Sequence, residues 1–402
     1  MVTFRNFLLP VGLVILFTAE ILRVYFIMPF PGSQESNTIG IAYFLHKNIL
    51  LTRIIAFIMI ATGVYPIFRQ WKVWKKVLFS ISIILYLAIF YLVNFKFLAD
   101  KMFLQPEVKS LVNASSNTVA PEKLIIGIIN NGQATAYPIE IIGYHHQVVD
   151  TVGGLPVMVT YCTVCRTGRV FRPVVNGQPD QFRLVGMDHF NAMFEDSRTR
   201  TWWRQSTGEA IAGPLKGSRL VEIPSTQSTL NAWLASNPAS LILQPDPAFA
   251  SKYKHLEGFD GGTIASGLEK RDSSSWKNKS WVVGIRHEGK TKAYDWNELL
   301  QKRVIHDTLH DLDVNDPPVD IVVVMGKDNS TFRAWQRDLN GIALTFLPDE
   351  EGMKDTNTNS IWNLEGKCIA GELAGKTLKP VQAYQEFWHS WKTFNPTTTI
   401  YK

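Results

Sequence analysis

The ten residues Gly208-Glu-Ala-Ile-Ala-Gly-Pro-Leu-Lys-Gly217 return 158 positions later as Gly366-Lys-Cys-Ile-Ala-Gly-Glu-Leu-Ala-Gly375. At the same offset Leu220 matches Leu378, Trp233 matches Trp391, and Asn237-Pro238 matches Asn395-Pro396. Upstream, Gly127-Ile128 and Ala136-Tyr137 match Gly284-Ile285 and Ala293-Tyr294 at an offset of 157. Matches spread over about 110 residues with few gaps mark an internal duplication. They predict one copy over residues 122–245 and a second over 279–402. Two copies are too few for a solenoid, so a pair packed on a shared core is expected.

Within a copy the elements read mostly as short strands. Val157–Tyr161, Arg169–Phe171 and Phe182–Val185 are β-branched or aromatic runs bounded by Gly, Pro or Asn. One helix closes each copy, over Ser228–Ser236 and Ala383–Phe394, because both runs end at Asn-Pro, where a helix must stop. The predicted class is α+β, a tandem-duplicated and mainly antiparallel β domain. Residues 246–278, with Gly261-Gly262 and Ser273-Ser274-Ser275, read as a connecting segment, and residues 99–121 as a linker.

Ahead of the linker, residues 1–98 form a predicted membrane anchor with three apolar stretches at about 7–30, 49–68 and 77–95. The first carries Glu20 and Arg23, three apart on one helical face, where each partly neutralises the other. No small-residue cleavage site follows Phe30 and two further spans come after, so the segment is expected to be retained. The loop Arg69-Gln-Trp-Lys72-Val-Trp-Lys75-Lys76 holds four cations between the second and third spans. Excess Lys and Arg mark the cytoplasmic side, which predicts a soluble part outside the cytoplasm, on the periplasmic side.

The net charge of +6 resides in the anchor: residues 1–101 hold ten Lys or Arg against three Asp or Glu, and the remainder holds 31 against 32. A phosphate-binding face is therefore not indicated, and no nucleic acid partner is expected. The expected partners are the lipid bilayer and a redox or metal-delivery partner. No Gly-rich phosphate loop, nucleophile elbow or zinc-protease helix is present, and Arg166 stands where a haem-attachment motif requires His.

Chemistry concentrates at Tyr161-Cys162-Thr163-Val164-Cys165-Arg166, which holds two of only three cysteines in 402 residues. A chain so poor in cysteine is not a disulfide scaffold. The pair follows one strand and precedes another, so it sits at a hairpin tip rather than on the helix cap of a thioredoxin fold. Aligning Phe171-Arg172 with Phe332-Arg333 sets Val323 and Gly326 opposite the cysteines, so the second copy lacks them. Cys368 replaces Ala210 in the repeated strand and reads as small buried filler.

Three uses of the pair remain open. It can be a redox dithiol, with Cys162 attacking, Cys165 resolving and His145 as base or orienting partner, the arrangement of a thiol-disulfide oxidoreductase. It can be half of a copper or zinc site completed by His145 with His189 or Met193. It can be the structural disulfide of a non-enzymatic binding module. His145 is preferred to His146, which aligns near His306 in the copy without cysteines. Arg166 and Arg169 are two of eight arginines between Tyr161 and Leu220; five acidic residues share that stretch, so surface ion pairing is the expected role.

The run Asp150-Thr-Val-Gly-Gly-Leu-Pro-Val-Met-Val-Thr-Tyr-Cys-Thr-Val-Cys165, with the Gly208–Gly217 motif and the closing Phe387-Trp-His-Ser-Trp391 segment, resembles the bacterial family called domain of unknown function 3179. That family often has Trp-His-Glu where this chain has Tyr144-His145-His146, and Cys-Pro-Leu-Cys-Gly where it has Cys162-Thr-Val-Cys-Arg166. The resemblance implies a role for His145 and, because the family includes selenoproteins, redox chemistry.

Overall fold

The computed structural model describes residues 2–65, 68–310 and 317–402. Three apolar N-terminal helices are followed by a mostly antiparallel β region. The chain divides into two compact units. The first comprises residues up to Leu104 with Asp180–Arg204 and Glu209–Arg219; the second comprises Gln105–Pro179, Gln205–Gly208 and Leu220–Lys402.

In the first unit α1 (Val2–Tyr25), α2 (Ile39–Val64) and α3 (Val73–Phe95) are each long and apolar enough to cross a membrane. Helix α1 stops at Tyr25, earlier than the apolar stretch suggests, because the chain turns there and the Ile27 carbonyl accepts the Met187 N–H at 2.7 Å. Helix α2 begins ten residues earlier than expected, since Ile39–Leu45 is itself apolar. The last residues but one of the expected second span, 66 and 67, lie outside the described residues. Gly63 lets α1 and α2 touch: a Cβ there would lie 2.8 Å from the Leu9 backbone nitrogen.

Glu20 is fully buried, and its closest partner is not Arg23, 3.7 Å away, but Arg53 of α2, which donates at 2.5 and 3.0 Å. Tyr86 of α3 also donates to Glu20, and Arg23 donates to Asn94 of α3 at 2.7 Å. The charges that looked costly one helix at a time thus tie three helices together. The early turns of α2 serve a four-stranded antiparallel sheet of Phe182–Asp188, Asn191–Asp196, Trp202–Arg204 and Ala210–Ala212. Tyr43 donates to the Arg200 carbonyl and sets its ring edge-on to Trp202.

In the second unit, two sheets have the same construction. One orders Thr226–Thr229, Leu124–Asn130, Gln133–Pro138 and Leu241–Leu243; the other orders Ala383–Phe387, Trp281–His287, Lys290–Asp295 and Thr399–Ile400. In each, only the last pair runs parallel. The first sheet gains Leu111–Val112 from the segment read as a linker, whose Glu107 and Val108 N–H groups also bond Asp246.

A helix lies across each sheet, Leu230–Ser236 on the first and Trp388–Phe394 on the second. Trp233 and Trp391 press on the sheets so closely that a Cβ at Gly127 or Gly284 would fall 2.3 or 2.2 Å from a ring atom. The second helix is shorter than its sequence suggests. Ala383–Phe387 alternates with its sheet neighbours as a strand paired to Trp281–Ile285, and tertiary pairing there overrides local helical preference. Residues 311–316 of the expected second copy lie outside the described residues.

Candidate functional site

The cysteines sit at the tip of an antiparallel hairpin, Leu155–Cys162 with Thr167–Phe171, in which Cys162 faces Thr167 across the ladder. The turn between them closes through Arg166 N–H to the Thr163 carbonyl at 3.2 Å, with Arg166 in the left-handed region at φ +54°. That conformation favours glycine, and a side chain there costs about 1 kcal/mol or more. Arg166 offsets the cost with its guanidinium. It donates to Gln385 Oε1 and to the Phe259 and Asp260 carbonyls at 2.9 to 3.0 Å, and its plane lies 3.9 Å from the Trp281 ring centroid.

Both cysteine side chains are fully buried and reduced. The tip is docked against the strand and helix of the other sheet: the Phe387 N–H donates to the Cys165 carbonyl at 3.0 Å, and Thr167 Oγ1 meets Ser390 Oγ at 3.2 Å. Beside Cys165 stands His389, with Nε2 3.9 Å from Sγ. The other ring nitrogen, Nδ1, lies 2.9 Å from the Asn278 carbonyl. A carbonyl only accepts, so Nδ1 carries the proton and Nε2 turns a lone pair toward the thiol.

Electrostatics keep the Cys165 thiol neutral. Burial, and then the Cys162 thiol beside it, push the Cys165 thiol well above its usual range. Burial and the neighbouring Lys279 pull His389 down to about 4. The Lys279 ammonium donates to the Val164 carbonyl at 2.7 Å and lies over the Phe387 ring, and burial lowers its pKa as well.

Beneath the thiols lies a second buried layer. Arg169 pairs with Glu386, donates to the Gly168 and Ser206 carbonyls, and stacks 3.5 Å from the Tyr384 ring centroid. Ser390 donates to the same Glu386 at 3.1 Å. Arg166 and Arg169 are therefore not surface ion pairs. Both are fully buried and hold the hairpin in place.

The other residues singled out from sequence make contacts of their own. His145 Nε2 lies 2.7 Å from the Tyr253 hydroxyl, with its ring edge-on to Phe249 and Tyr253. His146 bonds the Tyr161 carbonyl through Nδ1 at 3.0 Å, one residue ahead of Cys162, and burial lowers its pKa to about 4. In the first unit, His189 occupies the turn after Phe182–Asp188 and pairs with Asp188 at 2.6 Å, while Met193 is buried in the adjacent strand between Gly186 and Arg204. Cys368 is buried, with its thiol on the Ala370 carbonyl. Among the described residues no group of three or more His, Cys, Asp or Glu is placed to hold a metal ion.

His389, Ser390 and Lys279 escaped the sequence reading. The first two carried a signal: at the offset of 158 that aligns Trp233 with Trp391, they replace Asn231 and Ala232. The hairpin of Leu155–Cys162 and Thr167–Phe171 carries the cysteines, and the segment that follows Ala383–Phe387 carries His389 and Ser390, which face them.

The strand registers also revise which residues of the two hairpins correspond. Met158 faces Phe171 as Val322 faces Trp335, and each aromatic ring lies against a glycine, Gly208 and Gly366. On those pairs Cys162 and Cys165 correspond to Gly326 and Asn329, rather than to Val323 and Gly326. Arg169 then corresponds to Arg333, and both donate to the carbonyl of the preceding residue.

A hairpin-borne dithiol within a β-rich protein that has three apolar N-terminal helices defines the class. Residues 103–398 match the family described as a protein of unknown function, DUF3179, and the chain belongs to that family. No curated protein and no solved structure matches it.

Proposed function

We propose that this is a membrane-anchored thiol redox protein whose working couple is Cys162 and Cys165, with His389 as its base. The carrying observation is the His389 Nε2 lone pair turned toward the Cys165 thiol, with a second thiol beside it. In the forward reaction His389 takes the Cys165 proton and the thiolate attacks an oxidant. Cys162 then displaces the product and closes a disulfide, so that two electrons and two protons leave the pair. His145 bonded to Tyr253 is better suited to fixing the helix ahead of the hairpin than to proton transfer, which moves the base to His389 and the first attack to Cys165.

The cation-rich loop between the second and third helices supports a soluble part outside the cytoplasm, where such a couple meets oxidants. The matched sheets, each with one parallel edge pair and one tryptophan-bearing helix, support a duplicated origin for the two halves.

The test is a redox titration of the full chain in detergent, purified without chelator, read by alkylation mass shift. A reversible two-electron couple between roughly −300 and −120 mV that disappears in Cys162→Ser and Cys165→Ser supports the proposal. Stoichiometric bound metal, or a bond that resists reduction below about −300 mV, sinks it.

A further inference from the structure

We propose that the oxidant of this couple is a hydroperoxide, hydrogen peroxide being the simplest, and not the disulfide of another protein. This rests on the redox reading above and names its substrate class. The observation behind it is enclosure. Cys162 and Cys165 have no exposed surface, and Val164 and Thr163 between them are 4% and 5% exposed.

The tip is pinned from three directions. Lys279 holds the Val164 carbonyl, Thr163 Oγ1 donates to Glu269 at 3.1 Å, and Phe387 holds the Cys165 carbonyl. Exchange with a protein disulfide needs three sulfurs nearly in line, which a sulfur under a pinned loop cannot reach while the tip stays folded. A molecule of two heavy atoms escapes that constraint. Of the groups named around the sulfurs, His389, Lys279 and Glu269 are partly exposed, and the proposed approach of a small oxidant is on the side of His389 and Lys279.

The same groups suit peroxide chemistry. Cys165 gives its proton to His389, and its thiolate attacks one peroxide oxygen. An S–O bond forms as the O–O bond breaks, the sulfur loses two electrons, and the leaving hydroxide takes the proton from His389 and departs as water. The Lys279 ammonium spends one N–H on the Val164 carbonyl and has two more with which to donate to the leaving oxygen. The Cys162 thiol then attacks the Cys165 sulfenic acid, forming the disulfide and releasing a second water. When the tip opens, a dithiol reductant returns the pair to two thiols and becomes a disulfide itself.

The test uses the reduced full chain in detergent, exposed at equal concentration to hydrogen peroxide, glutathione disulfide and oxidised thioredoxin, with disulfide formation followed by quenched alkylation. Peroxide is expected to act at least about tenfold faster than either disulfide. In Cys162→Ser, peroxide is expected to leave one sulfenic acid per chain, on Cys165, trapped by dimedone and located by mass spectrometry. Circular dichroism of both single-serine variants verifies that they fold.

If either disulfide oxidises the pair as fast as peroxide does, the peroxide assignment falls and the redox reading stands. If none of the three oxidises it, both fall. A sulfenic acid on the remaining cysteine of Cys165→Ser, with none in Cys162→Ser, overturns the order of attack.

Discussion

The second unit holds two hairpin tips, Cys162–Thr167 and Gly326–Thr331, that dock in the same manner and differ in what they enclose. The first meets Gln385, Phe387 and Ser390; the second meets Thr229, whose N–H donates to Thr331 and whose hydroxyl donates to Asp328. Each tip thus crosses to the sheet and helix of the other half. At the first, two thiols, a histidine and a buried ion pair fill the contact. At the second, the tip borders a cavity of about 380 Å³ lined by charged residues, among them Arg303, Lys327, Glu350 and Glu365. One scaffold contact can therefore serve as a plain joint or carry reactive groups, depending on a few side chains.

The largest contrast should come from the two corresponding arginines. Arg169→Ala leaves Glu386 buried without its cation and should destabilise the protein by about 3 to 5 kcal/mol, seen as a clear fall in Tm. Arg333 pairs with Glu365, which is about a third exposed, so Arg333→Ala should cost much less. Equal losses would break the comparison.

Next come the two glycines beneath the tryptophans. Gly127→Ala and Gly284→Ala each force a methyl into a ring, and each should cost about 1 to 3 kcal/mol in chemical denaturation. A large difference between them would show that the two sheets are not packed alike.

The thiols separate the tips by pH. In His389→Asn, where only solvent can take the Cys165 proton, the oxidation or alkylation rate should climb about tenfold per pH unit from about pH 7 upward until that thiol, which titrates well above its usual range, ionises. Replacing His389 by the residue found 158 positions earlier, His389→Asn, should slow the reaction about a hundredfold near pH 7 without changing Tm by more than a few degrees.

The linkage sign is fixed by the same shift. Above about pH 8.5 the unfolded thiol releases a proton that the folded one keeps, so stability is full below that pH and falls as pH rises. Cys165→Ser should remove this alkaline loss. The smallest effect is expected at Asn329, which already holds φ +57° on an open turn. Asn329→Gly should change stability by no more than about 0.5 kcal/mol, whereas Arg166→Gly also gives up three buried hydrogen bonds.

Much of this architecture is legible from local pattern. Apolar length announces the three helices, alternation and turn residues announce the hairpin, and Asn-Pro stops both closing helices. The histidine beside Cys165 is not legible in that way. His389 and Cys165 are 224 residues apart, and no periodicity relates positions on different elements. The replacement of Asn231 and Ala232 by His389 and Ser390 marked the right segment, but only the crossing of the hairpin onto that helix made it a partner of the cysteines. His145 illustrates the same limit. A histidine close in sequence to the hairpin is directed by its short helix toward Tyr253, and proximity along the chain says nothing about ring direction.

By itself the sequence determined the kind of elements, the repeated pattern and the presence of two thiols three residues apart, since these follow from side-chain period, turn chemistry and composition. The tertiary structure decided which histidine meets which thiol, that Glu20 answers to Arg53 before Arg23, and that Arg166 and Arg169 are interior rather than surface groups. Those are contacts between distant segments, set by packing and by the need to satisfy every buried charge, and they do not exist until the chain has folded.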